Sequence, residues 1–367
     1  MKLNIKSSLI ISIFTLFSFF SYAHAEVKVV ASIKPIHSLV SYVMDGVGTP
    51  SILVDGSSSP HTFQLKPSHA QMLQDADIVF WIGEDLESFL ETPLDSIATN
   101  AKKITLMELD DIELLKFREK HIFEEHAGHD DHGDEHDEHG DEHDEHGDEH
   151  DEHEEGHDEH GDEHDEHKEG HDEHEEGHDE HEEGHDEHED EHGHHDGHNH
   201  GEFDIHFWLD PVIAKVIIKN VAEELSNIDA ANKATYEANA SKAISELDEL
   251  IAETKLKINK NATYVVFHDA YQYFEERFGI EVLGALSVNP EILPGAKQLA
   301  EIREVIEHEN VNCIFSEPQF NPSIAKTIAA DTGVKAAVLD PLGAELDPGK
   351  DLYFDLIADM ASSFSGC

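Results

Sequence analysis

Cysteine is scarce in this 367-residue chain, which has two, Cys313 and Cys367. No Cys-x-x-Cys pair exists, so a thiolate metal site of finger or ribbon type is excluded. Basic residues are scarce too, 24 Lys and Arg against 82 Asp and Glu, for a formal net charge of -58. A phosphate-backbone binder needs a basic footprint, so nucleic acid is excluded as a partner. The same imbalance favours cationic ligands. Past Phe20 no stretch is long and apolar enough to span a bilayer. Outside residues 121–200 there is no His-Glu-x-x-His, and Gly-x-Ser-x-Gly is absent throughout. The usual signatures of a zinc or serine hydrolase are therefore missing, and no enzymatic activity is expected.

What is present starts with residues 1–25, which read as a secretory signal peptide. Lys2 and Lys6 precede the apolar run Leu9 to Phe20, and Ala23-His24-Ala25 fits a small-x-small cleavage site before Glu26. The run, about 12 residues, is short for a membrane span. The mature chain is expected to be soluble, exported and periplasmic. In that oxidising compartment Cys313 and Cys367 are expected to bond, closing a 54-residue loop and stabilising the fold by about 4 kcal/mol.

Charge is unevenly spread. Residues 121–200 hold 25 of the 32 His and nearly half of the acidic residues. From His132 to Glu187 the pattern His-x-x-x-His-Asp-Glu runs through eight seven-residue units, beginning with His132, His136, His139 and His143. With almost no apolar content, the tract is expected to be a disordered insertion and an auxiliary, weak, multivalent metal collector. Setting aside the tract and the signal leaves roughly 260 residues, enough for two lobes with their own cores.

Those residues alternate short apolar runs with helical patterns, which predicts an α/β fold. Strands are expected at Val27 to Ile33, Ser51 to Val54, Asp77 to Ile82, Lys103 to Met107, Tyr264 to His268, Val282 to Val288, Cys313 to Ser316 and Ala336 to Leu339. Helices are expected at Pro35 to Met44, Ser68 to Gln74 with Ser68 as N-cap, Pro211 to Asn227, Asp229 to Lys257, Leu299 to His308, Pro322 to Ala330 and Leu352 to Phe364. The architecture is two lobes, each a mainly parallel sheet flanked by helices, joined by one long helix. The N-terminal lobe spans 26–228 with its insertion at 121–200, the linking helix 229–258 and the C-terminal lobe 259–367.

In open parallel sheets ligands bind beyond the carboxyl ends of the strands. His61 lies in the loop after Ser51 to Val54. His268 ends Tyr264 to Phe267, Asp340 ends Ala336 to Leu339, and His206 precedes the helix from Pro211. Three imidazoles and one carboxylate suit zinc. His37 is read as structural, and His69 and His308 as solvent-facing residues without a role. Asp269 and Glu317 flank strand ends near the site, where a role behind the metal ligands is open to them but nothing in the sequence supports one.

Several stretches in order carry a resemblance: Ala31-Ser32-Ile33-Lys34-Pro35-Ile36-His37, Asp204-Ile205-His206-Phe207-Trp208-Leu209-Asp210-Pro211, Phe267-His268-Asp269-Ala270-Tyr271-Gln272-Tyr273-Phe274, Val288-Asn289-Pro290-Glu291, Ser316-Glu317-Pro318-Gln319-Phe320 and Leu339-Asp340-Pro341-Leu342-Gly343. The mature chain resembles the ZnuA-type zinc-uptake periplasmic solute-binding proteins, which also carry a His/acid-rich insertion here. The resemblance implies His61, His206 and His268 as ligands of transported Zn²⁺. The fourth is Asp340 or water; a Glu before the first His, used by some members, is ruled out by Pro60. It also implies an ABC-transporter membrane permease as partner, and a monomer is expected. The alternative is a periplasmic zinc buffer or adhesin-like zinc-binding protein in which the tract is the main function.

Overall fold

The computed structural model describes residues 26–118, 201–260, 262–287 and 294–367. The signal segment, the tract with His132, His136, His139 and His143, and the Val288-Asn289-Pro290-Glu291 motif lie outside the described residues. Four parallel strands, β1 (Val29–Ile33), β2 (Ser51–Val54), β3 (Ile78–Trp81) and β4 (Lys102–Thr105), pair in the order β2-β1-β3-β4. Helices α1 (Lys34–Val43), α2 (Pro67–Asp75) and α3 (Ser88–Ser96) flank this sheet. A second parallel sheet repeats the topology with β5 (Tyr264–His268), β6 (Val282–Ser287), β7 (Cys313–Ser316) and β8 (Lys335–Val338), ordered β6-β5-β7-β8. Its helices are α6 (Gln272–Phe278), α7 (Ala296–His308), α8 (Ser323–Thr332) and α9 (Leu352–Ser365), while α4 (Pro211–Ile228) and α5 (Lys233–Lys257) lie between the sheets in sequence. In both sheets the order reverses beside the first strand, β1 or β5. Such a reversal opens a crevice at the carboxyl ends of the strands.

Burial explains the strands. All five residues of β1 and of β5 are buried, as in central strands covered on both faces. Local chemistry sets the helix starts. Asp210 caps α4 by accepting from the Val212 amide at 2.7 Å, with Pro211 at the first helical position. Ser68 is not an N-cap: Pro67 already begins α2, Lys66 holds the cap position, and His69 Nδ1 accepts from the Lys66 amide. The long helix starts at Lys233 rather than Asp229, because Asp229 Oδ2 accepts from Asn232 Nδ2 and the Tyr236 hydroxyl and closes a turn there. Two helices, α3 and α6, go beyond the sequence expectation.

One apolar core runs through both lobes. It takes in β1, α1, α4, α5, one face of the second sheet and α9, leaving a smaller cluster between the other face and α7–α8. The 25 residues of α5, about 38 Å of helix, pack on α1, α4 and α9. Helix α9 is second-lobe by sequence, yet it packs on α1 and α5 while Phe364 sits against Tyr264, Phe274 and Phe315. The Cys313–Cys367 disulfide fastens the end of this helix to the start of β7. Among the described residues no helix is long and apolar enough to cross a membrane.

Removing that bond should lower stability without touching the strand-end crevice. The Cys313→Ser/Cys367→Ser double variant is expected to lose about 2–5 kcal/mol and to melt lower in a thermal scan. A wild-type melting temperature would show that packing of α9 alone sets its position.

Candidate metal centre

Three histidines from three distant segments meet at the carboxyl ends of the strands. His268 is the last residue of β5, beside the order reversal of the second sheet. His206 ends the segment before the 3-10 turn Phe207–Leu209, immediately upstream of α4. His61 is on the loop that leaves β2, where Gly56 takes a left-handed φ of 69° and its amide bonds to Asp55 Oδ1, turning the chain back. One ring nitrogen from each of His61, His206 and His268 lies within 4.8 Å of the others. Ring centroids stand 5.2 Å apart for His206 and His268, 5.8 Å for His61 and His206, and 5.9 Å for His61 and His268. His206 and His268 are buried and His61 is half-buried.

Two carboxylates fix how the buried rings present themselves. His206 Nδ1 is 2.8 Å from Asp204 Oδ1, which also accepts the His206 amide at 2.9 Å. His268 Nδ1 is 2.8 Å from Glu317 Oε1. An ionised carboxylate only accepts, so Nδ1 carries the hydrogen in both rings, and in a neutral ring Nε2 is left with its lone pair for a metal. The two Nε2 atoms then face each other at 3.4 Å. Two acceptors at that distance repel unless a cation lies between them. Asp204 and Glu317 are only 1% and 3% exposed, and burying ionised carboxylates so deeply is costly unless positive charge or hydrogen bonds compensate. Together they would balance one divalent cation.

The surroundings are snug. Ser59, Pro60, Trp208, Gln319, Phe320 and Leu342 complete the walls around the histidines, and the space is ≈ 10 Å³, about that of one water molecule. Burial on its own pushes the His268 imidazole down, but contact with Glu317, reinforced by Asp269 and Asp204, outweighs it and leaves the pKa raised.

The structure does not bring Asp340 into this group. Its Oδ1 accepts from Gln319 Nε2 and the Leu342 and Gly343 amides, and its Oδ2 from the Ala344 amide at 2.5 Å. Those bonds shape the loop after β8, which Trp208 Nε1 and Lys34 Nζ hold by its Pro341, Ala344 and Leu346 carbonyls. A carboxylate so engaged has little left to offer an ion. His37 is buried, with Nε2 donating to the Pro50 carbonyl, and His308 is exposed beside Glu309. Asp269 turns to Arg118 at 3.5 Å. Of the two carboxylates that brace the rings, sequence reasoning gave Asp204 no role and left one merely open for Glu317. Only Asp204 had a local signal, an acid two residues before a histidine.

The family described as the periplasmic component A of the zinc-uptake complex, ZnuA, matches this chain over residues 29–367. A high-affinity zinc uptake system protein ZnuA of Brucella abortus (strain 2308) is 42% identical over 349 residues, covering 95% of this chain and 93% of the relative. Its namesake in Haemophilus influenzae is 41% identical over 349 residues, covering 94% and 93%. A crystal structure of ZnuA superposes with a TM-score of 0.65 at 20% identity, covering 93% of this chain and 99% of the other, a likeness of fold.

Proposed function

The chain belongs to the ZnuA family, zinc-binding receptors of uptake systems rather than enzymes, and from that membership we propose how its residues capture and release the ion. His61, His206 and His268 bind Zn²⁺ through one ring nitrogen each, Nε2 in the two buried rings. Water fills the fourth position, since the Asp340 oxygens are engaged by their own loop. The receptor works in the periplasm after residues 1–25 are removed, as a monomer whose single chain supplies all three histidines. It passes the ion to the membrane permease of an ABC transporter. The observation that carries this reading is the pair of Nε2 atoms facing each other at 3.4 Å, each ring backed by its own buried carboxylate. Neutral imidazoles make a borderline-soft set that suits zinc better than manganese.

Competitive zinc titration of a chain lacking Glu125–Asn199 tests it. One tight zinc per chain is expected, because the described lobes supply a preorganised site. The affinity should fall with acidification, because a proton and the metal compete for the same nitrogen. His268 has a raised pKa, so the fall should begin above the ordinary imidazole range of about 6.5. Loss of all tight binding on deletion would move the function to the tract, and an affinity flat from pH 7.5 to 5.5 would contradict histidine ligands.

A further inference from the structure

The segments on either side of the insertion form a small antiparallel ladder. Lys116 bridges Phe203, the Asp204 amide donates to the Leu115 carbonyl at 2.7 Å, and the Phe117 amide donates to Glu202 at 3.3 Å. Asp204, which holds His206, is part of this ladder. The ladder rests on the second lobe. The Tyr273 hydroxyl of α6 accepts from the Leu115 amide and donates to the Asp204 carbonyl, both at 2.8 Å. Arg118 is the charged member of the seat. Its Nη2 is 2.6 Å from Glu275 Oε1 and 3.5 Å from Asp269 Oδ1, and its Nη1 donates to the Val282 carbonyl at 3.5 Å. Asp269 directly follows His268. A single guanidinium therefore ties the strand pair that orients His206 to the strand end that carries His268.

We infer that Arg118 is a positioning residue for the metal site, setting the distance between His206 and His268 by fastening the ladder to α6 and the end of β5. The inference rests on these two histidines being ligands. Ion sites tolerate misplacement of only about 0.5 Å before affinity suffers, and no other charged side chain of the ladder pairs with the second lobe among the described residues. Lys116, in the same ladder, pairs instead with Glu202 on its own side. Glu275 is almost fully buried, and burial pushes its carboxyl up to about 7, against which Arg118 is the counter-charge that opposes protonation. The guanidinium is itself a quarter exposed, at the edge of the core, which suits a tie better than a packing element.

The test uses the full chain in a zinc buffer whose chelator holds free metal too low to fill weak sites. Arg118→Met should weaken zinc binding roughly tenfold, the low end for residues behind metal ligands, through faster dissociation. Lys116→Met should leave affinity unchanged. Glu275→Gln should weaken zinc in the same direction, and adding it to Arg118→Met should cost no more than Arg118→Met alone. If Arg118→Met does not fold, Glu275→Gln decides the matter alone. A purely stabilising role predicts a lower melting temperature with wild-type zinc affinity and dissociation rate in both variants, and that result overturns the inference. So does a loss in Lys116→Met equal to that in Arg118→Met. His206→Ala is measured alongside. Full affinity there removes the premise and the inference together, whereas full affinity in Arg118→Met beside a crippled His206→Ala removes the inference alone.

Discussion

Replacing His268 by Ala should weaken zinc binding by on the order of 100-fold or more, since loss of a direct ligand should match or exceed the 10–100-fold typical of residues behind one. Competitive titration against a chelator of known affinity measures it. The loss has two parts. One imidazole is gone from a set of three, and Glu317, 3% exposed, is left facing a void without the ring it held. His268→Glu separates the parts by restoring a donor of harder character. It should bind zinc more weakly than wild type and shift the Zn/Mn preference toward manganese. Wild-type zinc affinity in His268→Ala would remove this residue from the site, and an unchanged Zn/Mn ratio in His268→Glu would say the same.

The second large effect is expected from Glu317→Gln. The amide oxygen still accepts from Nδ1 of His268, so the ring keeps its place, but the negative charge behind the metal is lost. Residues in this position typically contribute 10–100-fold in affinity. The sign with pH is informative. Glu317 is the main group raising the His268 pKa against the opposing effect of burial. Glu317→Gln should therefore lower that pKa and ease competition by protons. The deficit should be full at pH 8 and smaller near pH 6, where the wild-type ring is already partly protonated. Equal loss at both values would mean that Glu317 acts through packing and not through charge.

Much of this was readable from residue patterns because the strands are short, apolar and buried. Ser51–Val54, Tyr264–His268 and Cys313–Ser316 occupy the expected positions, and both sheets are parallel. Helix α3 was not readable, because Pro93 lies within it and its apolar residues are few. Helix α6 is seven residues long, too short for a 3.6-residue period to stand out. At the site, placing a histidine beyond a strand end needs only the topology rule. Which way a carboxylate points is decided by the loop around it. Asp340 is followed by Pro341-Leu342-Gly343, and the side chain folds back onto the amides of its own turn, as aspartate often does. Glu317 meets His268 across 49 residues of sequence, a pairing that no local spacing encodes.

The unequal burial of the three rings also has a consequence in time. His206 and His268 are packed on a continuous core and each is braced by a carboxylate, so neither can retreat without disturbing a lobe. His61 rides on a turn at the rim, near Gly56 and three consecutive serines. If His61 is a ligand, as proposed, its bond to the ion is expected to break first on departure and to form last on arrival. If the three rings are the ligands, exchange is expected to pass through a two-histidine state whose lifetime follows the stiffness of the 55–61 turn. Affinity and release would then draw on different parts of the chain to different degrees. On this reading the buried pair supplies most of the hold on zinc, and the rim loop adds its own control over how quickly the ion is surrendered.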